Sequence, residues 1–358
     1  MTNENATIAA GPDAGPPAQE RVSKEGAVGN NRRPLYLAIL AVFVLFWVLG
    51  LWAGKSTTTL LNLTVEGIML GGILALGSMG LTLVYGVLKF ANFAHGDLMT
   101  IGAFVAFALM QVLPGSEAIA SFSFGWGLLV AMVLAAPVVA AVALAVDFLL
   151  FRPLRRRGAS VVLFTMASLA AMFFLRSVIY LIWGADYHFF YPGRANPAMH
   201  LPFGITLQAD KIFIFVLALV VVGAVWILLE RTRMGKAMRA TANNPDLAQV
   251  RGINTERVIQ WTWIIGGSMA AAGGVMYGLA SQLRPEMGFV LLLPLFAGTI
   301  LGGIGSPLGA LVGALIIGIA FQLSSGFIDP TYGPGVAFLL MILVLIIRPQ
   351  GMFTMGGD

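Results

Sequence analysis

Long apolar stretches follow one another along most of this chain, separated by short polar interruptions. A transmembrane helix needs roughly 20 consecutive apolar residues, and stretches near this length recur between residues 35 and 347. The predicted spans are residues 35–53, 60–90, 98–113, 127–146, 161–183, 212–229, 258–283, two spans within 287–328, and 333–347. The pattern therefore predicts an all-α polytopic membrane protein with about ten transmembrane helices.

The composition agrees with a membrane protein and narrows its chemistry. Of the 358 residues, 58% are hydrophobic and 10% are charged, whereas roughly 25% are charged in a soluble domain. The 43 glycines are expected where membrane helices approach one another closely. The chain has no cysteine, which excludes disulfides, thiol catalysis and cysteine metal sites.

The two ends of the chain differ in character from its centre. Residues 1–33 are polar and rich in Gly, Pro, Ala and Asn, so we predict a disordered cytosolic N-terminal tail. This polar preamble is too long for a typical secretory signal, so the first apolar run is read as a retained helix. We assign residues 34–350 to the transmembrane domain and residues 351–358 to a short C-terminal tail.

Basic residues predict the orientation of the chain. By the positive-inside rule, the clusters within 152–157 and 231–257 face the cytosol. Counting four spans backward places Arg32 and Arg33 inside, and counting four spans forward places Arg348 inside. We therefore predict a multi-pass membrane protein with both termini in the cytosol.

Residues 231–257 form a long polar segment that contains a predicted short helix. Asn244 suits the N-cap, Pro245 the first helical position, and Gly252 the left-handed residue after the last turn. Asp246 and Arg251 each lie at the end of the helix dipole that favours their charge. About two helical turns are not stable alone in water, so the helix must pack against transmembrane ends or a cytosolic partner.

Two interruptions, at residues 90–97 and 297–307, break long apolar runs in the two halves of the chain. Paired breaks of this kind indicate two pseudo-symmetric halves with broken or re-entrant segments around a pathway. The candidate pathway residues are Asn92, His95, Gly96, Asp97, Gly302, Gly303 and Gly305. Close helix packing is the alternative for the glycines, an N-terminal-turn acid is the alternative for Asp97, and either break could be an interior turn.

The sequence gives little support for a catalytic function. The three histidines have no metal-ligand spacing, no Ser-His-acid order stands out, and no GxxxxGK[ST] phosphate loop is present. We therefore predict no catalytic residue, no metal site and no ATP hydrolysis by this chain. An ion-driven secondary transporter would need acids inside the membrane. Glu66, Asp97 and Asp147 lie near span ends, and Arg176 is the only deep charge, read as an internal pair or a helix–loop anchor.

Four motifs resemble the permease subunits of branched-chain amino-acid ABC importers, in particular the first of their two paired permeases. The motifs are NFAHGDLMTIGAF, RMGKAMRATANNPDLAQVRGI, LPLFAGTILGGIGSPLGALVGALIIG and RPQGMF. The resemblance covers about residues 60–353. The second motif is similar to the family's cytosolic coupling loop, with Leu247, Ala248 and Gly252 at its most characteristic places.

The resemblance implies a permease that spans the bacterial inner membrane and translocates branched-chain or related hydrophobic amino acids in an ATP-driven importer. Its partners would be a second homologous permease, two ATP-binding subunits and an extracytoplasmic substrate-binding protein. This chain would bind no cofactor, since ATP and magnesium would lie in the ATPase subunits. The residues implied in ATPase coupling are Asn244, Pro245, Asp246, Leu247, Ala248, Arg251 and Gly252. A permease for urea or short amides and an ion-coupled secondary transporter remain as alternatives.

Overall fold

Helices account for most of the described residues. The computed structural model describes residues 33–115, 117–119, 122–191, 198–200 and 204–353. The predicted N-terminal tail, apart from residue 33, lies outside the described residues, as do residues 354–358 of the predicted C-terminal tail. The described part of the chain therefore contains the whole predicted transmembrane region except for short loop segments.

The helices follow the apolar pattern, and serine, threonine and asparagine side chains cap several of their N-termini. They are α1 Arg33–Trp52, α2 Thr57–Leu88, α3 His95–Met110, α4 Trp126–Val146, α5 Arg152–Arg156, α6 Val161–Trp183, α7 Ala209–Arg231, α8 Arg233–Asn243, α9 Pro245–Val250, α10 Thr255–Ala280, α11 Met287–Gly302, α12 Pro307–Ser324 and α13 Gly333–Ile347. Ser56, Ser160 and Ser306 each accept a backbone amide of the first turn. Each of the ten predicted spans coincides with one apolar helix, so the all-α polytopic prediction is confirmed.

Two of the apolar helices are short. Among the described residues, eight helices are long and apolar enough to cross a membrane, when α13 is counted together with the 3-10 turn Pro330–Tyr332 that leads into it. By contrast, α3 and α11 have 16 residues each and no such extension. At 1.5 Å per residue, 16 residues extend about 24 Å, less than the roughly 30 Å of a hydrocarbon core. Both short helices therefore begin or end inside the bundle, as broken helices do.

Three details differ from the sequence-based prediction. The fourth span continues past residue 146, because a π-helical turn at Asp147–Phe151 joins α4 to α5. The polar segment holds a second helix, α8, before the predicted one. The loop between α6 and α7 includes an antiparallel strand pair, β1 Ala198–His200 with β2 Thr206–Gln208.

Close backbone contacts hold the long helices together. Gly67 and Gly71 of α2 meet Gly318 and the backbone of Leu315 in α12, where an added Cβ would collide. Gly274 of α10 packs in the same way against the Met99 backbone of α3. Small residues permit such approach, which substitutes for hydrophobic driving force within a bilayer.

Ion pairs bring the two basic clusters to the same end of the bundle. Glu256 is in the first turn of α10. Its Oε2 lies 3.4 Å from Nε of Arg152 and 3.6 Å from Nη2 of Arg155. Nη1 of Arg155 also lies 2.6 Å from Oδ1 of Asp147. The predicted grouping of residues 152–157 with 231–257 is therefore confirmed, and the assignment of this end to the cytosol stays a prediction.

Candidate functional site

The first break, residues 89–94, runs back along α6 instead of turning at the end of the bundle. Phe90 stacks on Phe164, close to the start of α6, with ring centroids 5.2 Å apart. One turn further along α6, the Ser168 hydroxyl accepts the Phe93 amide at 3.2 Å and donates to the Ala91 carbonyl at 3.1 Å. Residues 89–94 therefore lie beside the first half of α6, and α3 begins in the bundle interior. This is the arrangement of a re-entrant segment.

An ion pair fixes the start of α3 to α6. The Arg176 guanidinium donates from Nε to Oδ1 and from Nη2 to Oδ2 of Asp97, both at 3.1 Å. The Asp97 side chain is fully buried. Arg176 also lies over the Phe289 ring of α11, with its Cζ 4.6 Å from the ring centroid. The prediction that Arg176 forms an internal pair is confirmed, and its guanidinium touches both short helices.

A second break, residues 281–286, approaches the same place from the opposite end of the bundle. The backbone of Leu283 exchanges hydrogen bonds of 2.8 and 3.1 Å with His188, beyond the end of α6. Glu286 then lies 3.4 Å from the Tyr180 hydroxyl, one turn of α6 from Arg176. The two halves therefore share one order: a long helix, a six-residue break and a 16-residue helix.

The starts of the two short helices touch each other. A Cβ on Gly96 would collide with the Gly288 carbonyl, and one on Gly288 with the Gly96 carbonyl. The Thr100 hydroxyl accepts the Gly288 amide at 3.1 Å. The two short helices therefore meet at Gly96 and Gly288, just after residues 89–94 and 281–286. The sequence-based pairing of residues 90–97 with 297–307 as symmetric interruptions stays a prediction.

The glycines at 302–305 lie at a different place, the tight turn between α11 and α12. Gly303 and Gly305 have φ of +102° and +86°, a region that favours glycine. Gly302 packs against Gly309 with no room for a Cβ on either. After α13, the amide of Phe353 donates to the Gly302 carbonyl at 2.9 Å. Packing and turn geometry explain these glycines, and their role in a pathway stays a prediction.

His95 and Asn92 carry unpartnered polar atoms inside the bundle. The His95 Nε2 lies 3.0 Å from the carbonyl of Gly77, near the middle of α2. A carbonyl only accepts, so Nε2 carries the proton. Among the described residues, neither His95 Nδ1 nor Asn92 Nδ2 has a hydrogen-bond partner, although both are buried. Such atoms are uncommon in folded proteins and call for an explanation.

The predicted short helix of the polar segment is present as α9, with the predicted start. The Asn244 side chain accepts the Leu247 amide at 2.9 Å, and Pro245 occupies the first turn beside Asp246. Thr232 caps the preceding helix α8 by accepting the Gly235 amide at 3.1 Å. The sequence-based assignment of the N-cap is therefore confirmed.

The end of α9 also has the predicted geometry. Gly252 has φ of +83°. Its amide donates to the Gln249 carbonyl and the Ile253 amide donates to the Ala248 carbonyl, both at 2.9 Å. This pair of hydrogen bonds is the Schellman arrangement, which satisfies the last carbonyls of a helix. The chain can leave α9 in this direction because residue 252 has no side chain.

One face of α9 packs against the rest of the chain and the other is open. Ala248 is buried, and the Gln249 amide donates to the Thr255 hydroxyl of α10 at 2.9 Å. Leu247 and Val250 are 55% and 84% exposed. A short helix that displays two apolar side chains within a polar segment has the character of a contact surface for another protein.

Comparison with known proteins places most of the transmembrane region, from within α2 to near the end of α13, in one family. Residues 63–345 match the family model described as branched-chain amino acid transport system / permease component. The chain is 33% identical to the high-affinity branched-chain amino acid transport system permease protein LivH of Escherichia coli K12, over 80% of this chain and 93% of that protein. It is 30% identical to the permease protein BraD of Pseudomonas aeruginosa, over 80% and 94%.

A relative from a third organism gives a similar result. The probable branched-chain amino acid transport permease protein LivH of Methanocaldococcus jannaschii is 30% identical, over 81% of this chain and 92% of that protein. No solved structure matches. The chain belongs to the family of branched-chain amino acid transport system permease components.

Proposed function

We propose that this chain is the membrane-spanning subunit of an ATP-driven importer for branched-chain or related hydrophobic amino acids. The main support for this proposal is the family match across residues 63–345, together with the exposed, capped helix α9. The sequence has no phosphate loop of its own, so ATP and magnesium would be held by two partner ATPase subunits. A second permease and an extracytoplasmic binding protein would complete the complex.

Coupling would run from α9 into the bundle through α10. Gly252 is followed almost at once by α10, which begins at Thr255. Further along α10, Gly274 packs directly on the Met99 backbone of α3. Movement of α9 by an ATPase subunit would therefore be passed by a rigid helix to the short helices at the centre.

Proteoliposomes that contain the permease and its partners test this function. We expect leucine uptake that requires both internal ATP and the external binding protein. Uptake driven by an ion gradient without ATP would reject the importer in favour of a secondary transporter. Uptake of urea or acetamide in preference to leucine would keep the importer and change its substrate.

The His95→Ala variant should reduce uptake several-fold while membrane insertion and complex assembly stay normal. Uptake should fall because the variant removes a buried ring where α2 and α3 meet. Insertion and assembly should stay normal because the hydrogen bond that is lost is worth only about 1 kcal/mol. Uptake and assembly are measured on the same preparation. His188→Ala is the control, because the backbone pairing of His188 with Leu283 survives the change. Normal uptake by His95→Ala would leave His95 with a packing role.

Single-cysteine variants of this cysteine-free chain test the proposed orientation. Val250 and Val112 are both 84% exposed and lie at opposite ends of the bundle. In cells that produce the permease without its ATPase partner, an impermeant thiol reagent added outside should label Val112→Cys and should reach Val250→Cys only after the membrane is opened. Thr241 lies in the same polar segment as Val250, but it is buried and would therefore be a poor position for labelling. The reverse labelling pattern would invert the topology.

A further inference from the structure

A cavity opens at the end of the bundle opposite the basic clusters. It has a volume of about 310 Å³ and lies between α2, α7, α10 and α12. Small-molecule sites in proteins begin near this size, roughly 300 Å³, and combine apolar walls with a few placed polar groups. The residues that form its apolar walls are Met69, Leu70, Ile73, Ile214 and Phe321.

One ion pair supplies the charge in this cavity. The Lys211 ammonium lies 2.8 Å from Oε1 of Glu66, and the Gln322 amide donates to Oε2 at 3.0 Å. The side chains of Glu66 and Lys211 are 33% and 23% exposed, so both reach the open space. The cavity thus presents an anion and a cation side by side above an apolar floor.

We propose that this cavity binds an α-amino acid with an aliphatic side chain, with Glu66 receiving its ammonium group and Lys211 its carboxylate. The inference rests on the proposed function and gives it a binding site on this subunit. A zwitterion can enter between Glu66 and Lys211 without changing the net charge of the cavity. Each charge exchanges one opposite partner for another, so no ion is left unpaired near the membrane, where an unpaired ion is costly.

The position of the cavity suits an entry site. Ile73 at its floor is one helical turn from Gly77, whose carbonyl binds His95. Tyr277 on the α10 side is likewise one turn from Gly273, which packs near Met99. A ligand held here would lie directly above the layer in which α3 meets α2 and α10.

The same geometry predicts the ligand class. An aliphatic carboxylate would leave Glu66 without a cation, and an aliphatic amine would leave Lys211 without an anion. Both should bind less well than the amino acid that carries both groups. A large polar side chain would have to lose its water against Met69 and Ile214, so leucine should be preferred over glutamine.

Cysteine protection in the assembled transporter tests the site. Ser281 lines the cavity and is exposed, so Ser281→Cys places a conservative reactive group there. We expect saturating L-leucine to slow thiol labelling at position 281 about tenfold, as mass action predicts for a site nine-tenths filled. 4-Methylpentanoate and 3-methylbutylamine should not protect. Thr57→Cys, at the same end but outside the cavity, should label equally with and without leucine.

Charge variants in the Ser281→Cys background complete the test. Lys211→Met should remove leucine protection, Lys211→Arg should retain part of it, and Lys55→Met, at an exposed lysine outside the cavity, should retain all of it. Equal labelling with and without leucine, in a preparation that still transports leucine, would overturn the site and leave the proposed function intact. Protection that survives both Lys211→Met and Glu66→Gln would overturn the roles assigned to these residues. Absence of leucine transport in the parent complex would reject the proposed function itself.

Discussion

Gly252→Val should lower both leucine uptake and substrate-stimulated ATP hydrolysis by about tenfold in proteoliposomes with wild-type partners, since about 1.4 kcal/mol corresponds to tenfold. Gly252 has φ of +83° and nothing lies within 4 Å of an added Cβ, so the effect comes from the backbone conformation alone. A left-handed conformation costs a residue with a side chain roughly 1–2 kcal/mol, and a β-branched residue more. The two hydrogen bonds that end α9 should then be lost.

Two variants separate this conformational effect from general damage. Gly54→Val is the matched control, because Gly54 has φ of +77° and equally open surroundings at the other end of the bundle. Gly252→Asn should keep most activity, since asparagine tolerates the left-handed region. Leu247→Asp should reproduce the loss by placing a charge on the exposed apolar face. Full transport by both Gly252→Val and Leu247→Asp would show that α9 is an ordinary loop helix.

Removing one member of the Asp97–Arg176 pair should cause the largest loss of folded-state stability. Breaking a buried ion pair by neutralising one partner typically costs about 3–5 kcal/mol, because the other charge is left uncompensated. Asp97 is fully buried, and Arg176 joins α3, α6 and α11. Asp97→Asn and Arg176→Met should therefore each lower the temperature at which the detergent-solubilised protein loses its monodisperse elution peak.

The double variant Asp97→Asn/Arg176→Met tests whether the charge imbalance is the cause. It should be more stable than either single variant, because no unpaired charge remains. Glu286→Gln is the control: Glu286 is 4.0 Å from Arg284 and both are partly exposed, so its loss should cost less than about 1 kcal/mol. Equal stability of Asp97→Asn and Glu286→Gln would contradict the role given to the pair.

Local signals predicted the helices and the ends of α9. Apolar run lengths gave the ten helical spans, and Asn244, Pro245 and Gly252 gave α9, because capping depends on residues close in sequence. Helix α8 was missed although its signal is local. Thr232 stands at its N-cap, and Met234, Met238 and Thr241 recur at helical spacing, with the last two buried. A search of the whole polar segment for this period would have found it.

The central site could not be read from the sequence in the same way. Asp97 and Arg176 are on different helices, and nothing in either neighbourhood specifies the other. The second break was concealed because Arg284 and Glu286 resemble an ordinary charged loop that closes a span. The contact of Gly96 with Gly288 depends on how the two halves fold against each other, which is a tertiary property.

The link from residues 352 and 353 back to α11 has a consequence for biosynthesis. The Met352 and Phe353 amides donate to the Leu301 and Gly302 carbonyls at 2.9 Å. These carbonyls leave the ribosome well before the amides that bind them, and unpaired carbonyls are costly where water is scarce. We therefore expect α11 and α12 to insert early but to acquire their final packing only when synthesis of the chain is nearly complete. A nascent chain that stops before Gly351 would expose that defect to membrane proteases.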